Sequence, residues 1–302
     1  MTELLIHPGF HKTGTTFLQQ CVFSDPRFFR PLVTHDEAHE LFVEPHESHF
    51  DPVEAQSYLR DRLADETSSC VKVVSSEILS GNILLGSRDS FLIARRLIQT
   101  FPHARVLFTV RKQQSFVLSA YLQYVKRGGR RNLREFLTFQ PEPGYHWFDL
   151  KSLRFDRLVS LYAKHYGDKN VLVLPQELLR KDRTEFLKVL FDFSGAREPY
   201  GEGNLKFPKS VGKSPPVSGV PILRLANLFR PSALNPEGPR FSSFLARALI
   251  SLGYRYKFRE NEIKYCLERQ VEDRCGNMYQ SSNLSLQKFC PVSLSDLGYD
   301  FP

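Results

Sequence analysis

The stretch GFHKTGTTFLQ, residues 9–19, closely follows the apolar residues 4–6 (LLI). Gly9 and Gly14 have four residues between them, which is the glycine spacing of a phosphate-binding loop. An apolar strand, a glycine-bounded loop and a helix, in this order, present backbone N–H groups to an anion at the start of the helix. The stretch therefore predicts an α/β fold with an anion site at residues 13–16.

The lysine of this loop is not where a nucleoside triphosphate needs it. In such loops Lys follows the second glycine, whereas here Thr15 follows Gly14 and Lys12 lies inside the loop. Nucleotide hydrolases also hold magnesium with an Asp at the end of another strand. The other strand-like runs end in Ser-Ser-Glu, Val-Arg and Leu-Pro-Gln-Glu. We therefore expect a different phosphate-bearing ligand and no metal.

Composition narrows the class of protein without choosing a ligand. The 302 residues are 41% hydrophobic and 25% charged, as in ordinary soluble globular proteins. The formal net charge of +8 favours anionic ligands, whether nucleotides, acidic glycans, nucleic acids or membrane surfaces. The sequence shows no signal peptide and no apolar run of about 18 residues. The five cysteines are scattered and form no C-x-x-C pair, so we expect reduced thiols and a cytoplasmic location.

Further apolar runs alternate with helical patterns along the first two thirds of the chain. The strand-like runs are residues 71–74, 106–110 and 171–174. Helical patterns occupy residues 88–100, 113–126 and 151–166. This alternation predicts βαβ units, and hence a central, mostly parallel sheet flanked by helices, as in P-loop NTPases.

The residues that follow these runs should meet at one edge of the sheet, because ligands of such sheets bind at the carboxyl ends of the strands. They are Ser75-Ser76-Glu77, Arg111 and Gln176-Glu177. Ser119 follows Arg111 by eight residues on a predicted helix, which places a guanidinium and a hydroxyl to share one phosphate. The pair indicates a second anion site, separate from the glycine loop.

The chain changes character after about residue 197. Residues 198–219 are rich in Pro, Gly, Ser and Lys and predict an irregular loop, and the rest predicts helices. We expect a single domain over residues 1–302, with an α/β core at 1–196 and a loop and helical portion at 197–302. One predicted helix places apolar residues on one face: Phe241, Phe244, Leu245, Ala248, Leu249 and Leu252. We expect that face to pack on the protein's own core, with a membrane-surface helix as the alternative.

These motifs resemble those of the sulfotransferases that use 3'-phosphoadenosine-5'-phosphosulfate (PAPS), especially the bacterial branch. HKTGTTFLQ (11–19) is similar to that family's 5'-phosphosulfate loop. Arg111 to Ser119, with SAYLQY from Ser119 onward, is similar to its 3'-phosphate motif. Similarity to bacterial members extends to ILRLANLF (222–229), MYQSSNLSLQKF (278–289) and DLGYDFP (296–302), so the resemblance spans nearly the whole chain.

The resemblance implies a PAPS-dependent sulfotransferase and assigns roles to the motif residues. It places the 5'-phosphate on Thr13, Gly14, Thr15 and Thr16. Lys12 would support the bridging oxygen that becomes negative as sulfur leaves. Arg111 and Ser119 would hold the 3'-phosphate. Phe17 stands where cytosolic relatives have a stacking Trp, which implies a contact with adenine.

The acceptor side requires a base for the proton of the attacking group. By the resemblance this base is a His or a Glu near the end of a strand, and we select Glu77, with His11 and His146 as alternatives. Two departures from the family concern the donor. Its late R-K-G motif is absent, so Lys209 and Lys213 either replace it or are solvated loop charges. Gln176-Glu177 stands where many relatives have Tyr-Glu, which leaves adenine recognition open.

Two other functions compete with this interpretation. A diverged P-loop nucleoside or sugar kinase is the alternative enzyme. A nucleic-acid binder rests on net charge alone, since no basic motif with interleaved aromatics is present. We therefore expect PAPS as co-substrate and no metal. The expected partner is a hydroxyl-bearing acceptor (a glycan, a glycolipid or a small molecule), with no nucleic acid and at most peripheral membrane contact. Acceptor identity and oligomeric state are left open.

Overall fold

The central feature of the fold is one parallel sheet of five strands. The structure is a computed structural model and describes residues 4–65, 70–196, 214–232, 234 and 243–302. The strands are β1 (Leu4–Gly9), β2 (Phe29–Pro31), β3 (Val71–Ser75), β4 (Arg105–Val110) and β5 (Val171–Pro175). Their order across the sheet is β2-β3-β1-β4-β5, and every neighbouring pair is parallel. The predicted α/β fold with a parallel sheet is confirmed.

Helices flank the sheet and continue after its last strand. They are α1 (Thr15–Phe17), α2 (His35–Phe42), α3 (Pro52–Tyr58), α4 (Arg60–Ala64), α5 (Ser90–Thr100), α6 (Gln113–Lys126), α7 (Leu133–Thr138), α8 (Asp156–Tyr166), α9 (Gln176–Lys181), α10 (Arg183–Ser194), α11 (Val220–Ala226), α12 (Ser243–Arg255), α13 (Glu260–Cys275) and α14 (Gln280–Gln287). A π-helical turn, Leu18–Val22, extends α1. The predicted helices 88–100 and 113–126 correspond to α5 and α6. The predicted helix 151–166 begins later, as α8, because a 3₁₀ turn over Leu150–Leu153 precedes it.

The sheet is buried on both faces, which is why its strands read as continuous apolar runs. Alternate side chains enter two different cores. One core contains Ile6, Val74, Val106 and Val173, and the other contains Leu5, Val73, Leu107 and Leu172. The short edge strand β2 was not predicted from the sequence, since three residues that end in proline carry no periodic signal.

The helices after β5 pack on the first of these cores. Val220, Val271 and Leu286 are buried in the same cluster as Ile6. The Tyr279 hydroxyl donates to Leu150 O at 3.0 Å, and Gln113 Nε2 donates to Asn283 Oδ1 at 2.7 Å. Buried polar contacts of this kind fix the late helices against the α/β core, because leaving either partner unpaired would be costly.

Helix α12 does not bury the apolar face that the sequence predicts to be buried. Phe244, Leu245 and Leu252 are 85%, 47% and 52% exposed. The buried face carries Ala246 and Gly253 instead. Small residues there allow α12 to approach α11 so closely that a β-carbon on Gly219 would lie 1.9 Å from Gly253 O. The expectation that the apolar face packs on the core is therefore wrong for these residues.

Several predictions about the late chain fall outside what the structure describes. Lys209, Lys213 and Phe241 all lie outside the described residues. None of the helices in the described parts of the chain combines the length and the hydropathy that a bilayer crossing requires.

A histidine lies in the middle of the sheet. His7, on β1, is fully buried, with Nδ1 2.8 Å from Ser75 Oγ and Nε2 3.3 Å from Thr109 Oγ1. Burial lowers the pKa of His7 to about 4, against a smaller opposing effect of Glu77. The side chain is therefore neutral and linked to β3 and β4 by its two ring nitrogens.

We predict that this histidine makes the fold sensitive to mild acid. A depressed pKa means that the unfolded chain takes up a proton at a higher pH than the folded chain. Stability is therefore lost as the pH falls from about 6.5 toward about 4, by about 2 kcal/mol between pH ~7 and pH ~4.5. Urea unfolding across this range should show that loss in the wild type, less of it in His7→Gln, and the wild-type loss in His146→Gln. Parallel curves for His7→Gln and wild type would contradict the assignment.

Candidate active site

The loop after β1 is built on a left-handed backbone. Gly9, Lys12 and Gly14 have φ of 94°, 62° and 98°. A β-carbon on Gly9 would lie 3.1 Å from Glu77 Cα, so only glycine fits there without displacement. Gly14 O accepts the Phe17 and Leu18 backbone N–H groups at 3.0 and 3.2 Å, which begins the helix. The turn therefore leads directly from β1 into a helical start, as the glycine spacing predicts.

The three threonines of the loop differ in burial: Thr13 and Thr15 are buried, and Thr16 is exposed. The Thr13 hydroxyl donates to Phe10 O at 2.5 Å and lies 2.7 Å from Thr109 Oγ1. Its side chain thus holds the loop to β4, and its backbone N–H is the group that remains for a ligand. Thr15 is buried beside Gly9, whereas Thr16 is exposed.

Lys12 lies in a positively charged setting. Burial is the largest cause that lowers the pKa of Lys12, followed by Lys126 and then Arg111, with Arg127 adding a smaller effect. Glu77 opposes them. The ammonium group therefore faces several cations and one carboxylate, an arrangement that an anionic ligand would stabilise.

Lys126 and Arg127 were not predicted as site residues from the sequence, although the helical spacing of Lys126 from Ser119 could have indicated it. Lys126 follows Ser119 by seven residues, which is about two turns along the same side of α6. Both side chains are exposed at the end of that helix. The helical period could have grouped Lys126 with Ser119 before the structure was known.

Arg111 forms a second cationic position, at the end of β4. Its Nε is buried and, within the described part of the chain, has no hydrogen-bond partner. Burial, with a contribution from Arg180, lowers the pKa of Arg111 to about 10, so the group remains a cation at neutral pH. Ser119 lies on the buried side of α6, about two turns further on. A desolvated donor without a partner is costly, and an anionic ligand would supply the partner.

The residues after β5 have separate roles. Glu177 accepts the Lys112 backbone N–H at 3.1 Å and the Tyr299 hydroxyl at 2.9 Å. Its carboxylate is therefore engaged inside the protein. Gln176 lies beside the loop, with Nε2 3.7 Å from the position of a β-carbon on Gly14, and its buried Oε1 has no hydrogen-bond partner among the described residues.

Glu77 lies at the mouth of the site, directly after β3. Gln19 Nε2 donates to Glu77 Oε2 at 3.3 Å. Burial favours the protonated form of Glu77, but its own backbone N–H, then His11 and then the bond from Gln19, outweigh burial and lower its pKa. The carboxylate is therefore ionised at neutral pH and able to accept a proton.

Of the two alternative bases, His11 lies near Glu77. His11 Nε2 donates to Gly81 O at 2.9 Å, and burial lowers the pKa of this imidazole. The neutral ring then has its lone pair on Nδ1. His35, which the sequence did not single out, lies 2.8 Å from Ser76 Oγ through Nδ1 and acts electrostatically on both His11 and Glu77. His146 is an exposed residue of the segment before the Leu150–Leu153 turn.

Phe17 is placed at the end of α1, half-buried against the second core. The Arg183 guanidinium lies over its ring, 5.6 Å from the centroid. One face of the ring is therefore in contact with a cation of α10. Within the described ranges, no group of three or more His, Cys, Asp or Glu residues is arranged to hold a metal ion.

Comparison with solved structures concerns the fold of the chain. The chain superimposes on a sulfotransferase from Alicyclobacillus acidocaldarius with a TM-score of 0.50 and 17% identity, over 69% of this chain and 87% of that one. It also matches the sulfotransferase domain of the Synechococcus PCC 7002 olefin synthase, with a TM-score of 0.44 and 14% identity, over 100% of this chain and 96% of that one.

A third match is the sulfotransferase domain from the curacin biosynthetic pathway, with a TM-score of 0.44 and 14% identity over 100% of this chain and 99% of that one. No protein-family model matches the chain, and no curated protein matches it by sequence. At these identities the comparisons concern the fold, and the predicted sulfotransferase fold is confirmed.

Proposed function

We propose that the protein is a PAPS-dependent sulfotransferase that transfers a sulfuryl group to a hydroxyl of a glycan, a glycolipid or a small metabolite. One observation carries the proposal. Two cationic positions lie at the same edge of the sheet: Lys12 within the glycine loop, and Arg111, whose buried Nε has no hydrogen-bond partner among the described residues. A ligand with a 5'-phosphosulfate and a separate 3'-phosphate requires two such positions.

The residues present fit this co-substrate. Gly9 and Gly14 hold the loop in a left-handed backbone conformation, from which successive backbone N–H groups can form an anion-binding concavity. Backbone N–H groups of residues 13–16 would hold the 5'-phosphate, with the Thr16 hydroxyl as a further donor. Arg111 and Ser119 would hold the 3'-phosphate. PAPS supplies the sulfuryl group and a phosphate leaving group.

Two charged side chains would act in the transfer, one on the negative charge of the leaving group and one on the proton of the acceptor hydroxyl. Lys12 would stabilise negative charge on the bridging oxygen as the bond to sulfur breaks, because its ammonium is held in a partly buried setting where charge interactions are strong. Glu77 would accept the proton of the acceptor hydroxyl, since its carboxylate is ionised and next to the loop. Lys126 and Arg127, whose positive charges lower the pKa of Lys12, would further favour the binding of an anionic co-substrate.

The proposal also covers domain organisation, cellular location and partners. Buried residues from the α/β core and from the later helices share one cluster, which supports a single domain over residues 1–302. The cysteines of the chain are free thiols, which supports a cytoplasmic enzyme. A nucleic acid is not among the proposed partners.

Isothermal titration separates this function from the alternative kinase. 3',5'-Adenosine bisphosphate should bind without magnesium, and ATP should bind poorly with or without it, because the loop has no lysine after Gly14. Tight, magnesium-dependent binding of ATP with no response to the bisphosphate would overturn the proposal.

Removal of the Lys12 charge should affect turnover more than binding. Because the charge that Lys12 meets develops in the transition state, Lys12→Ala should lower kcat by roughly 100-fold or more while the affinity for the bisphosphate changes little. Lys12→Arg, which keeps the charge on the same backbone, should retain more activity. A collapse of affinity with near-normal turnover would make Lys12 a ground-state anchor instead.

Removal of Arg111 should be selective for the 3'-phosphate. Arg111→Ala should weaken binding of 3',5'-adenosine bisphosphate by about 10- to 100-fold and leave adenosine 5'-phosphate nearly unchanged, as expected for a charge-assisted hydrogen bond. Ser119→Ala should act in the same direction but less. Arg88→Ala, at an exposed arginine before α5, is the control. Equal losses for both nucleotides would place Arg111 in support of the fold or of the 5' site.

The third variant tests the base. Glu77→Gln keeps the side-chain shape but cannot accept the proton, so turnover should fall about 10²- to 10⁴-fold with PAPS binding intact. The acid limb of the kcat/KM profile should change with it. Glu177→Gln is the matched control, because that carboxylate holds Lys112 and Tyr299 and should affect stability and donor affinity rather than proton transfer. Near-normal turnover in Glu77→Gln, with loss in His11→Asn or His146→Ala, would assign the base to histidine.

A further inference from the structure

The outward face of α12 carries an apolar surface that continues beyond the helix. Phe244, Leu245 and Leu252 project from the helix at 85%, 47% and 52% exposure, and Tyr256 and Phe258 follow at 40% and 64%. We name these five residues the α12 surface. Large apolar side chains that are singly exposed need no explanation, but five within fifteen residues form a patch of the kind that marks an interaction site.

The helix cannot hide this face by turning. Its opposite side carries Ala246 and Gly253, both buried, and packs closely on α11. A β-carbon on Gly219 would lie 1.9 Å from Gly253 O, so the two backbones are in contact at the crossing. Ile250 and Tyr254 also lie against the core from this inner side. The α12 surface is therefore held outward by the packing of small residues.

The charged residues of α12 and of the segment after it are basic as far as Arg259. Residues 243–259 contain Arg247, Arg255, Lys257 and Arg259 and no Asp or Glu. Arg259 pairs with Glu262 on α13. In the described structure no ion pair engages Arg247, Arg255 or Lys257. Arg247, Arg255 and Lys257 therefore lie among the exposed Phe, Leu and Tyr residues of this segment, and Lys257 also acts electrostatically on Glu260.

We propose that the α12 surface rests in the headgroup region of an anionic lipid bilayer, a contact that is independent of the reaction proposed for the active site. Apolar side chains of a surface-bound helix enter the boundary between headgroups and acyl chains, while basic side chains meet anionic headgroups. Tyr256 suits that boundary, since its ring is apolar and its hydroxyl is polar. Phe244 and Leu252 supply the apolar contact, and Arg247, Arg255 and Lys257 supply the charge complementarity.

A second copy of the chain fits this surface less well than lipid. At a two-fold contact the same patch faces itself, so Arg247, Arg255 and Lys257 would oppose their own copies. Residues 243–259 contain no carboxylate, and the adjacent Glu260 already accepts hydrogen bonds from the backbone N–H groups of Val217 and Ser218. An anionic membrane supplies apolar depth and negative charge together.

Vesicle flotation of the full chain tests the proposal. The probes are vesicles of phosphatidylcholine alone and vesicles of phosphatidylcholine mixed with phosphatidylglycerol. The protein should float with the anionic vesicles, remain behind with the neutral ones, and dissociate from the former as salt is raised.

Two double variants separate the apolar and the electrostatic contributions to vesicle binding. Phe244→Ser with Leu252→Ser should reduce partitioning onto anionic vesicles by roughly tenfold or more, because the apolar contact is lost. Arg247→Glu with Arg255→Glu should reduce it at least as much, because attraction becomes repulsion. Phe91→Ser and Arg95→Glu are the matched controls, since both residues are exposed on α5 and should have no effect. Urea unfolding midpoints verify that each variant is folded.

Three results would overturn the proposal. The first is equal partitioning of wild type onto neutral and anionic vesicles, and the second is no partitioning onto either. The third is concentration-dependent self-association in sedimentation that Phe244→Ser with Leu252→Ser abolishes, which would assign the surface to a second copy. None of these outcomes depends on PAPS, so the proposed reaction is tested separately.

Discussion

The close approach of Gly9 to Glu77 is the constraint on which the rest of the site depends. The glycine loop begins at Gly9, beside Glu77 in the segment that follows β3. A β-carbon on Gly9 would lie 3.1 Å from Glu77 Cα. Backbone proximity, rather than a long side chain, thus brings the glycine loop and the Glu77 carboxylate together. Parallel pairing of His7 with Ser75 sets the relative height of the two strand ends. The proposed donor and acceptor sides are therefore positioned by the most buried part of the sheet.

The site carries positive charge that the fold alone does not neutralise. Lys12 is disfavoured as a cation by burial and by Lys126 and Arg111, and Arg111 Nε is buried with no partner among the described residues. A chain selected for stability alone would have replaced or paired these groups. In the proposed reaction an anion at Arg111 would relieve that penalty on binding, and the negative charge that develops beside Lys12 would relieve the other during transfer. Part of the affinity for such a ligand would therefore come from repulsion already present in the free protein.

Local geometry could be predicted from the sequence, and long-range choices could not. The glycine loop and the strand-end positions follow from backbone conformation over a few residues, so the places of Lys12 and Glu77 could be predicted, whereas the roles proposed for them come from the family resemblance. The inward turn of the Thr13 hydroxyl depends on Thr109, 96 residues away. The outward face of α12 depends on the contact of Gly253 with Gly219, since periodicity reveals a stripe but not which side meets a neighbour. The electrostatic surroundings of Lys12 likewise depend on the end of α6, because Lys126, the last residue of that helix, acts on Lys12.

The bond from the Tyr299 hydroxyl to Glu177 has a consequence for how the protein is made. Glu177 orients the backbone of Lys112, next to Arg111, and is itself oriented by a residue 122 positions later. During synthesis the glycine loop and the five strands of the sheet leave the ribosome before Tyr299 does. A nascent chain can therefore form most of the sheet before its second cationic position is supported. The support of the backbone next to Arg111 is therefore complete only once the segment around Tyr299 has joined the fold.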